Sequence, residues 1–274
     1  MTDVSSAAIR LASGKDIPRV GLGVWQVSGG QTLDAVRTAI GCGYRHVDTA
    51  RIYGNESDVG RALREVSIPR SEVFVTTKLW NSDQGFDQAL KAFDASLARL
   101  GLEYVDLYLL HWPVARLRLD SWRALERLHD EGRARSIGVS NFLLNHLQEL
   151  LGKARVAPHV NQLELTPFLQ RRDSVKFCRE NQIVLEAYSP LTRGQQLKHP
   201  EVVAIARELR RSPAQVLLRW GIQQNFVVLP KSVTPSRIRE NANLFDFELD
   251  REQVTRLDAL EEGLVTGWDP ADQA

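Results

Sequence analysis

Cysteine is scarce in this chain of 274 residues, with only Cys42 and Cys178 and no C-x-x-C pair. Two thiols that far apart exclude a disulfide framework and make a poor metal site, so both are expected as small buried apolar side chains. Long apolar runs are missing too. The longest, 105–112, is broken by Asp106 and His111, far short of the ~20 residues a membrane helix needs. Residues 1–13 show no basic start followed by an apolar stretch, so no secretory signal is expected. Nor is there an excess of one charge: Lys plus Arg total 35 against 34 for Asp plus Glu, a net charge of +1. That balance speaks against a general basic field for nucleic acid and against a chain held open by self-repulsion. No linker or low-complexity run appears. Together these absences predict a cytoplasmic protein with neither nucleic acid nor membrane as partner.

What is present is a repeated unit, a short run of Val, Ile and Leu followed by a longer run of helical period. Strand-like runs fall at 19–23, 45–48, 73–77, 104–110, 135–139, 159–164, 183–187 and 226–229. Between them, Leu90, Phe93, Leu97 and Leu100 recur at helical spacing, as do Trp122, Leu125 and Leu128. Gly132 and Gly152 stand where helices should end. Ser212-Pro213-Ala214-Gln215 and Asp250-Arg251-Glu252-Gln253 carry capping-box start signals. Strands alternating with helices imply parallel strands joined by crossovers. Eight such units predict an α/β fold, a (β/α)8 TIM barrel of one domain over 1–274, with extra helices. The stretch 9–18 reads as a small hairpin capping the barrel floor. The alternative, a doubly wound sheet binding a dinucleotide, would want a third glycine after Gly21 and Gly23.

A barrel places its functional residues at the C-terminal ends of several strands. Following the runs in order, those positions hold Asp48 with Tyr53 in the next loop, Lys78, and His111. Ser140 and Asn141 come next, then Gln162 and Glu164, then Tyr188 and Ser189, and finally Lys231 and Ser232. A polar or ionisable group at nearly every strand end is hard to read as packing. The chemistry these types permit is proton donation to a carbonyl oxygen. Tyr is a weak acid, and a neighbouring Lys78 ammonium, held by Asp48, is expected to lower its pKa. His111 can orient the substrate oxygen. No side chain here donates hydride, so a nicotinamide cofactor is implied.

These stretches resemble the aldo-keto reductases. The matching motifs are GYRHVDTARIYGNE (43–56), TKLW (77–80), DLYLLHWP (106–113) and SIGVSNF (136–142). VNQLE (160–164), AYSPL (187–191) and LPKSVTPSRIREN (229–241) complete the set. The flavour is similar to bacterial 2,5-diketo-D-gluconate reductases. The resemblance implies that Tyr53 donates the proton, with Asp48, Lys78 and His111 completing a tetrad. It implies NADPH as cofactor. Ser140, Asn141 and Gln162 would bind the nicotinamide carboxamide, Tyr188 would stack on the ring, and Ser189 and Leu191 would adjoin it. Lys231, Ser232 and Arg237 would bind the 2′-phosphate, with Val233 beside them. Thr234, Glu240 and Asn241 would line the phosphate and adenine end. Trp25, Trp80 and Trp112 would wall a pocket for a small carbonyl substrate. It also implies a monomer.

Competing readings attach to several residues. His46, His111 and Glu164 could be imagined as a metal site, but no local ligand motif supports one, and a filling role in the barrel suits His46 better. Arg51 either meets an anionic substrate at the pocket mouth or points into solvent. Trp268 either folds over the pocket or anchors the terminus. A non-catalytic NADP(H)-binding, redox-sensing subunit is the alternative to an enzyme; the complete tetrad favours the enzyme.

Overall fold

The computed structural model describes Val4 and residues 7–272. The expected unit over 1–274 also takes in residues 1–3, 5–6 and 273–274, which lie outside the described residues, as does part of the leading stretch read for a secretory signal. A short antiparallel hairpin comes first, β1 (Ala8–Arg10) with β2 (Asp16–Pro18). Eight parallel strands follow: β3 (Leu22–Gly23), β4 (His46–Asp48), β5 (Phe74–Leu79), β6 (Leu107–Leu110), β7 (Ile137–Ser140), β8 (Val160–Glu164), β9 (Val184–Tyr188) and β10 (Val227–Leu229). Each pairs with its neighbour in sequence. The ring closes where Val228 N donates to Arg19 O at 2.9 Å and Gly21 N donates to Val228 O at 2.9 Å. Gly21 is required at this seam, because a Cβ there would lie 2.6 Å from Leu229 Cδ2 and 2.7 Å from His46 Nδ1.

The helices form the outer layer: α1 (Gly30–Gly41), α2 (Glu56–Glu65), α3 (Phe86–Leu100), α4 (Arg118–Asp130), α5 (Leu144–Leu151), α6 (Arg172–Glu180), α7 (Pro200–Leu209), α8 (Pro213–Gln223), α9 (Pro235–Ala242) and α10 (Arg251–Asp258). In α3 the residues Phe93, Leu97 and Leu100 are buried, as their spacing requires, and Gly101 ends the helix at φ 65°. Ser212 and Asp250 cap α8 and α10 through the boxes read in the sequence. Gly132 follows α4 at φ 71°, whereas Gly152 ends α5 in an ordinary right-handed conformation. Outward strand residues such as Val47, Val75, Leu110 and Leu185 share one core with the helices. A second core fills the lower barrel. Leu11 and Ile17 of the hairpin meet Phe74, Leu107, Leu109, Val160, Val227 and Leu229 there, so the hairpin is the floor.

Strand limits differ from the sequence reading in a consistent way. Strands β5, β7 and β9 run one or two residues further, which puts Lys78, Ser140 and Tyr188 inside strands. These polar side chains keep the inward alternation and so keep the ladder. The run from 104 begins its strand only at Leu107. Asp106 is diverted to accept from Val75 N at 3.0 Å and from Arg70 Nη2 at 2.7 Å.

Candidate active site

A cleft of about 1140 Å³ opens at the C-terminal ends of the strands. It is lined by Asp48, Tyr53, His111, Ser140, Asn141, Gln162, Tyr188, Ser189, Leu191, Lys231, Ser232, Val233, Thr234, Arg237, Glu240 and Asn241, and by Trp25, Trp80 and Trp112. Lys78 does not reach the lining; it lies behind, with no exposed surface. The residues assigned to the tetrad, the cofactor and the substrate pocket are therefore all in or directly beneath one cleft.

At its base, Lys78 Nζ donates to Asp48 Oδ1 at 2.6 Å and to Thr49 O at 2.9 Å, and lies 3.5 Å from the Tyr53 hydroxyl. Tyr53 sits on the 3-10 turn Arg51–Tyr53 after β4, which the left-handed Gly54 (φ 70°) terminates. The His111 ring meets Tyr53 edge-on at 5.8 Å and Trp80 at 5.3 Å, centroid to centroid. Burial opposes the charge on Lys78, yet Asp48 and Tyr53 outweigh it and hold the pKa above its ordinary value. Burial, reinforced by Lys78, holds His111 well below the usual range, so its imidazole is neutral. The expectation for Tyr53 needs correcting. Lys78 does pull its pKa down, but burial is the larger cause and the net direction is upward. The phenol therefore keeps its proton at neutral pH.

Higher in the cleft, Asn141 takes φ 65°, a conformation Asn tolerates better than most residues. Its amide donates to His111 O at 2.9 Å and accepts from the Tyr188 hydroxyl at 2.8 Å. Ser140 Oγ donates to Gln162 O at 3.0 Å. Gln162 faces inward while its neighbour Asn161 faces the helices and donates to Phe142 O at 2.9 Å, the opposite sides that strand alternation requires. At the far end, Lys231 and Arg237 flank the start of α9, whose N-cap is Thr234. Neither has an ion-pair partner among the described residues. The Ser232 hydroxyl accepts from Thr234 N at 3.1 Å, and the Glu240 carboxylate accepts from the Ser212 hydroxyl.

The open alternatives resolve geometrically. His46 is buried inside the barrel against Thr76 Oγ1 at 3.0 Å, and no metal-binding group of three His, Cys, Asp or Glu exists among the described residues. Cys178 is buried, as expected; Cys42 is only half-buried. Arg51 is turned outward, 3.9 Å from Asp83, and does not line the cleft. Trp268 folds over it, 71% exposed and 5.9 Å from the Trp112 ring. The segment carrying it is tethered by Thr266 N to Glu164 Oε1 at 3.1 Å and by Arg171 to Asp269 at 2.8 Å. Sequence reasoning missed this role of Glu164. It also missed Arg193, whose guanidinium lies 4.6 Å over the Trp25 ring. It gave no role to Glu186, although Glu186 stands two residues before Tyr188 and so shares its face.

Residues 19–262 match the model of the aldo/keto reductase family. The chain belongs to this family. It is 46% identical over 275 residues to the uncharacterized oxidoreductase YtbE of Bacillus subtilis, covering 98% of both chains. It is 48% identical to the 9,11-endoperoxide prostaglandin H2 reductase of Trypanosoma cruzi, covering 93% of this chain and 91% of that one. A crystal structure of an aldo-keto reductase complexed with NADPH superposes with TM-score 0.90 at 35% identity, covering 95% of this chain and 89% of that one. The fold is thus the TIM barrel of the family, and the chain is an oxidoreductase. No helix among the described residues is long and apolar enough to cross a membrane.

Proposed function

We propose that this protein reduces aldehydes or ketones to alcohols with NADPH, Tyr53 giving the proton to the carbonyl oxygen. The observation that carries the reading is the Tyr53 hydroxyl in the cleft, 3.5 Å from a Lys78 ammonium that Asp48 holds at 2.6 Å. Bound NADPH supplies the hydride. The residues suit that cofactor: two cations with no ion-pair partner among the described residues, Lys231 and Arg237, adjoin a helix N-terminus at one end of the cleft, a setting that favours a phosphate. Ser140, Asn141 and Gln162 would hydrogen-bond the nicotinamide carboxamide, Tyr188 would stack on the ring beside Ser189 and Leu191, and Thr234, Glu240 and Asn241 would line the adenine end.

Because burial keeps the Tyr53 phenol protonated, it waits as an acid. As negative charge develops on the substrate oxygen, the buried ammonium of Lys78 stabilises the phenolate that remains. The neutral His111 ring offers a hydrogen bond to the same oxygen and fixes its angle. Trp25, Trp80 and Trp112 exclude water from the reacting carbon and suit an apolar or aromatic carbonyl compound. All four tetrad groups come from one chain, so a monomer suffices.

The test is carbonyl-dependent NADPH oxidation by Tyr53→Phe. Turnover is expected to fall about 10³-fold, in the range for a lost general acid, while NADPH affinity stays close to that of the parent. Turnover within tenfold of the parent would show that another group is the acid.

A further inference from the structure

Beneath the tetrad lies a carboxyl group that the reaction so far does not use. Glu186 of β9 is fully buried and points into the barrel. Its Oε2 accepts from Gln162 Nε2 at 3.0 Å, and the same nitrogen donates to Asp48 Oδ2 at 2.9 Å. Gln162 and Glu186 are direct neighbours in the β8–β9 register. Both N–H groups of the Gln162 amide are therefore committed to carboxyls, and its carbonyl oxygen is the end left for the cleft. The other Glu186 oxygen, Oε1, has no hydrogen-bond partner among the described residues and lies 3.7 Å from His46 Nε2.

A second carboxyl so near Asp48 fits the interior in one protonation state. The titratable groups facing it are Asp48 and His46 on β4 and Lys78 on β5; its register neighbour on β10, Val227, is apolar. Lys78 is the single cation and is already paired with Asp48. An ionised Glu186 would leave one uncompensated negative charge in the barrel, a costly state. Burial, with Asp48 adding to it, pushes the Glu186 carboxyl up to about 8. At neutral pH it is an acid and does not compete for Lys78.

We propose that Glu186 is a positioning residue of this active site: with Asp48 it clamps the Gln162 amide, so that the carbonyl oxygen of Gln162 is presented to the N–H of the nicotinamide carboxamide. The inference rests on the cofactor reading above and deepens it. A half-turn of the amide would set its oxygen against Asp48 and offer N–H groups to the cleft. Two carboxyls on one nitrogen prevent that turn more firmly than Asp48 alone.

The experiment compares Glu186→Leu with Glu186→Gln. NADPH affinity is read by quenching of tryptophan fluorescence, and the apo-protein is examined by infrared spectroscopy across pH. Glu186→Leu removes the acceptor and is expected to weaken NADPH binding about tenfold, the size of one lost hydrogen bond to a polar ligand group. Glu186→Gln keeps an acceptor oxygen and is expected to recover most of that loss. The parent apo-protein should show a protonated-carboxyl band that titrates near pH 8 and is absent from both variants. A merely space-filling Glu186 would be replaced by Leu as well as by Gln, with parent-like affinity in both. The infrared arm holds whether or not Glu186→Leu folds. Parent-like affinity in a folded Glu186→Leu, or a parent without the band, overturns the proposal. A parent protein that binds no NADPH overturns the cofactor reading and this inference with it, whereas Tyr53→Phe binding NADPH without turnover supports that reading independently.

Discussion

The lower and upper halves of the barrel interior are made by the same strands on the same alternation, and they could hardly differ more. Going up β5 the inward residues are Phe74, Thr76 and Lys78; on β6 and the residue just past its end, Leu107, Leu109 and His111; on β8, Val160, Gln162 and Glu164; on β9, Val184, Glu186 and Tyr188. The floor is apolar and stoppered by Leu11 and Ile17 of the hairpin. The rim is polar, and its deepest charge is paired: the buried Lys78 ammonium bonds to Asp48, while the Gln162 amide bonds to Asp48 and Glu186. The difference teaches that two residues along a strand, about 6–7 Å, separate the part that holds the barrel together from the part that does its chemistry.

The sharpest way to break this comparison is Lys78→Met. It should abolish most carbonyl reduction, because the ammonium that stabilises the Tyr53 phenolate is gone. It should also cost about 3–5 kcal/mol of stability, since Asp48 is left buried and unpaired. Adding Asp48→Asn should restore much of the stability and none of the activity. Chemical denaturation and turnover measured on the single and double variants check both halves of that statement. Recovered activity in the double variant would place the chemistry elsewhere. Next in size is Leu107→Ala in the floor, where the side chain is completely buried. A loss of about 2–5 kcal/mol is expected from the cavity and lost transfer energy. The kcat/KM of the folded fraction should match the parent. A change there would mean that floor and rim are mechanically coupled.

The sequence disclosed the barrel because its pattern is repeated: eight apolar runs between helical ones, with a hairpin signal before them. The strand ends were blurred because period-2 alternation does not stop where side chains turn polar. Thus Lys78, Ser140 and Tyr188 lie inside strands read as ending before them. Candidate site residues stood out wherever a polar group ended a strand or matched a family motif. Glu186 stayed hidden because a carboxylate inside a Val-Leu-Ala run looks like noise until Gln162 is seen 3.0 Å away on the next strand. The direction of the Tyr53 shift was misjudged for a related reason. Pairing with Lys78 is legible from motifs, but burial depends on everything packed around the phenol, and here burial is the larger cause.

His46 sits at the boundary of the two halves and gives the subtlest test. Its Nε2 lies 3.0 Å from Thr76 Oγ1, and its ring meets Phe74 edge-on at 4.9 Å. It faces the polar rim from an apolar seat, and burial pushes the imidazole down to about 4. Unfolded, a histidine binds its proton below about pH 6.5. Between that value and about 4, the unfolded chain holds a proton that the native protein does not, so His46 supports the fold fully above 6.5 and that support is lost as pH falls toward 4. The full span is worth about 3 kcal/mol at 1.36 kcal/mol per pH unit. His159, also pushed down to about 4, and His111 slope the same way. His46→Gln, which can still hydrogen-bond Thr76, should therefore leave stability near pH 7 little changed relative to its own acid limb and flatten that limb by up to one proton. Urea unfolding at a series of pH values measures the slope. An acid limb as steep as the parent's would mean that His46 is already protonated in the native state, and that the charged layer of the barrel reaches one step deeper than Lys78 and Asp48.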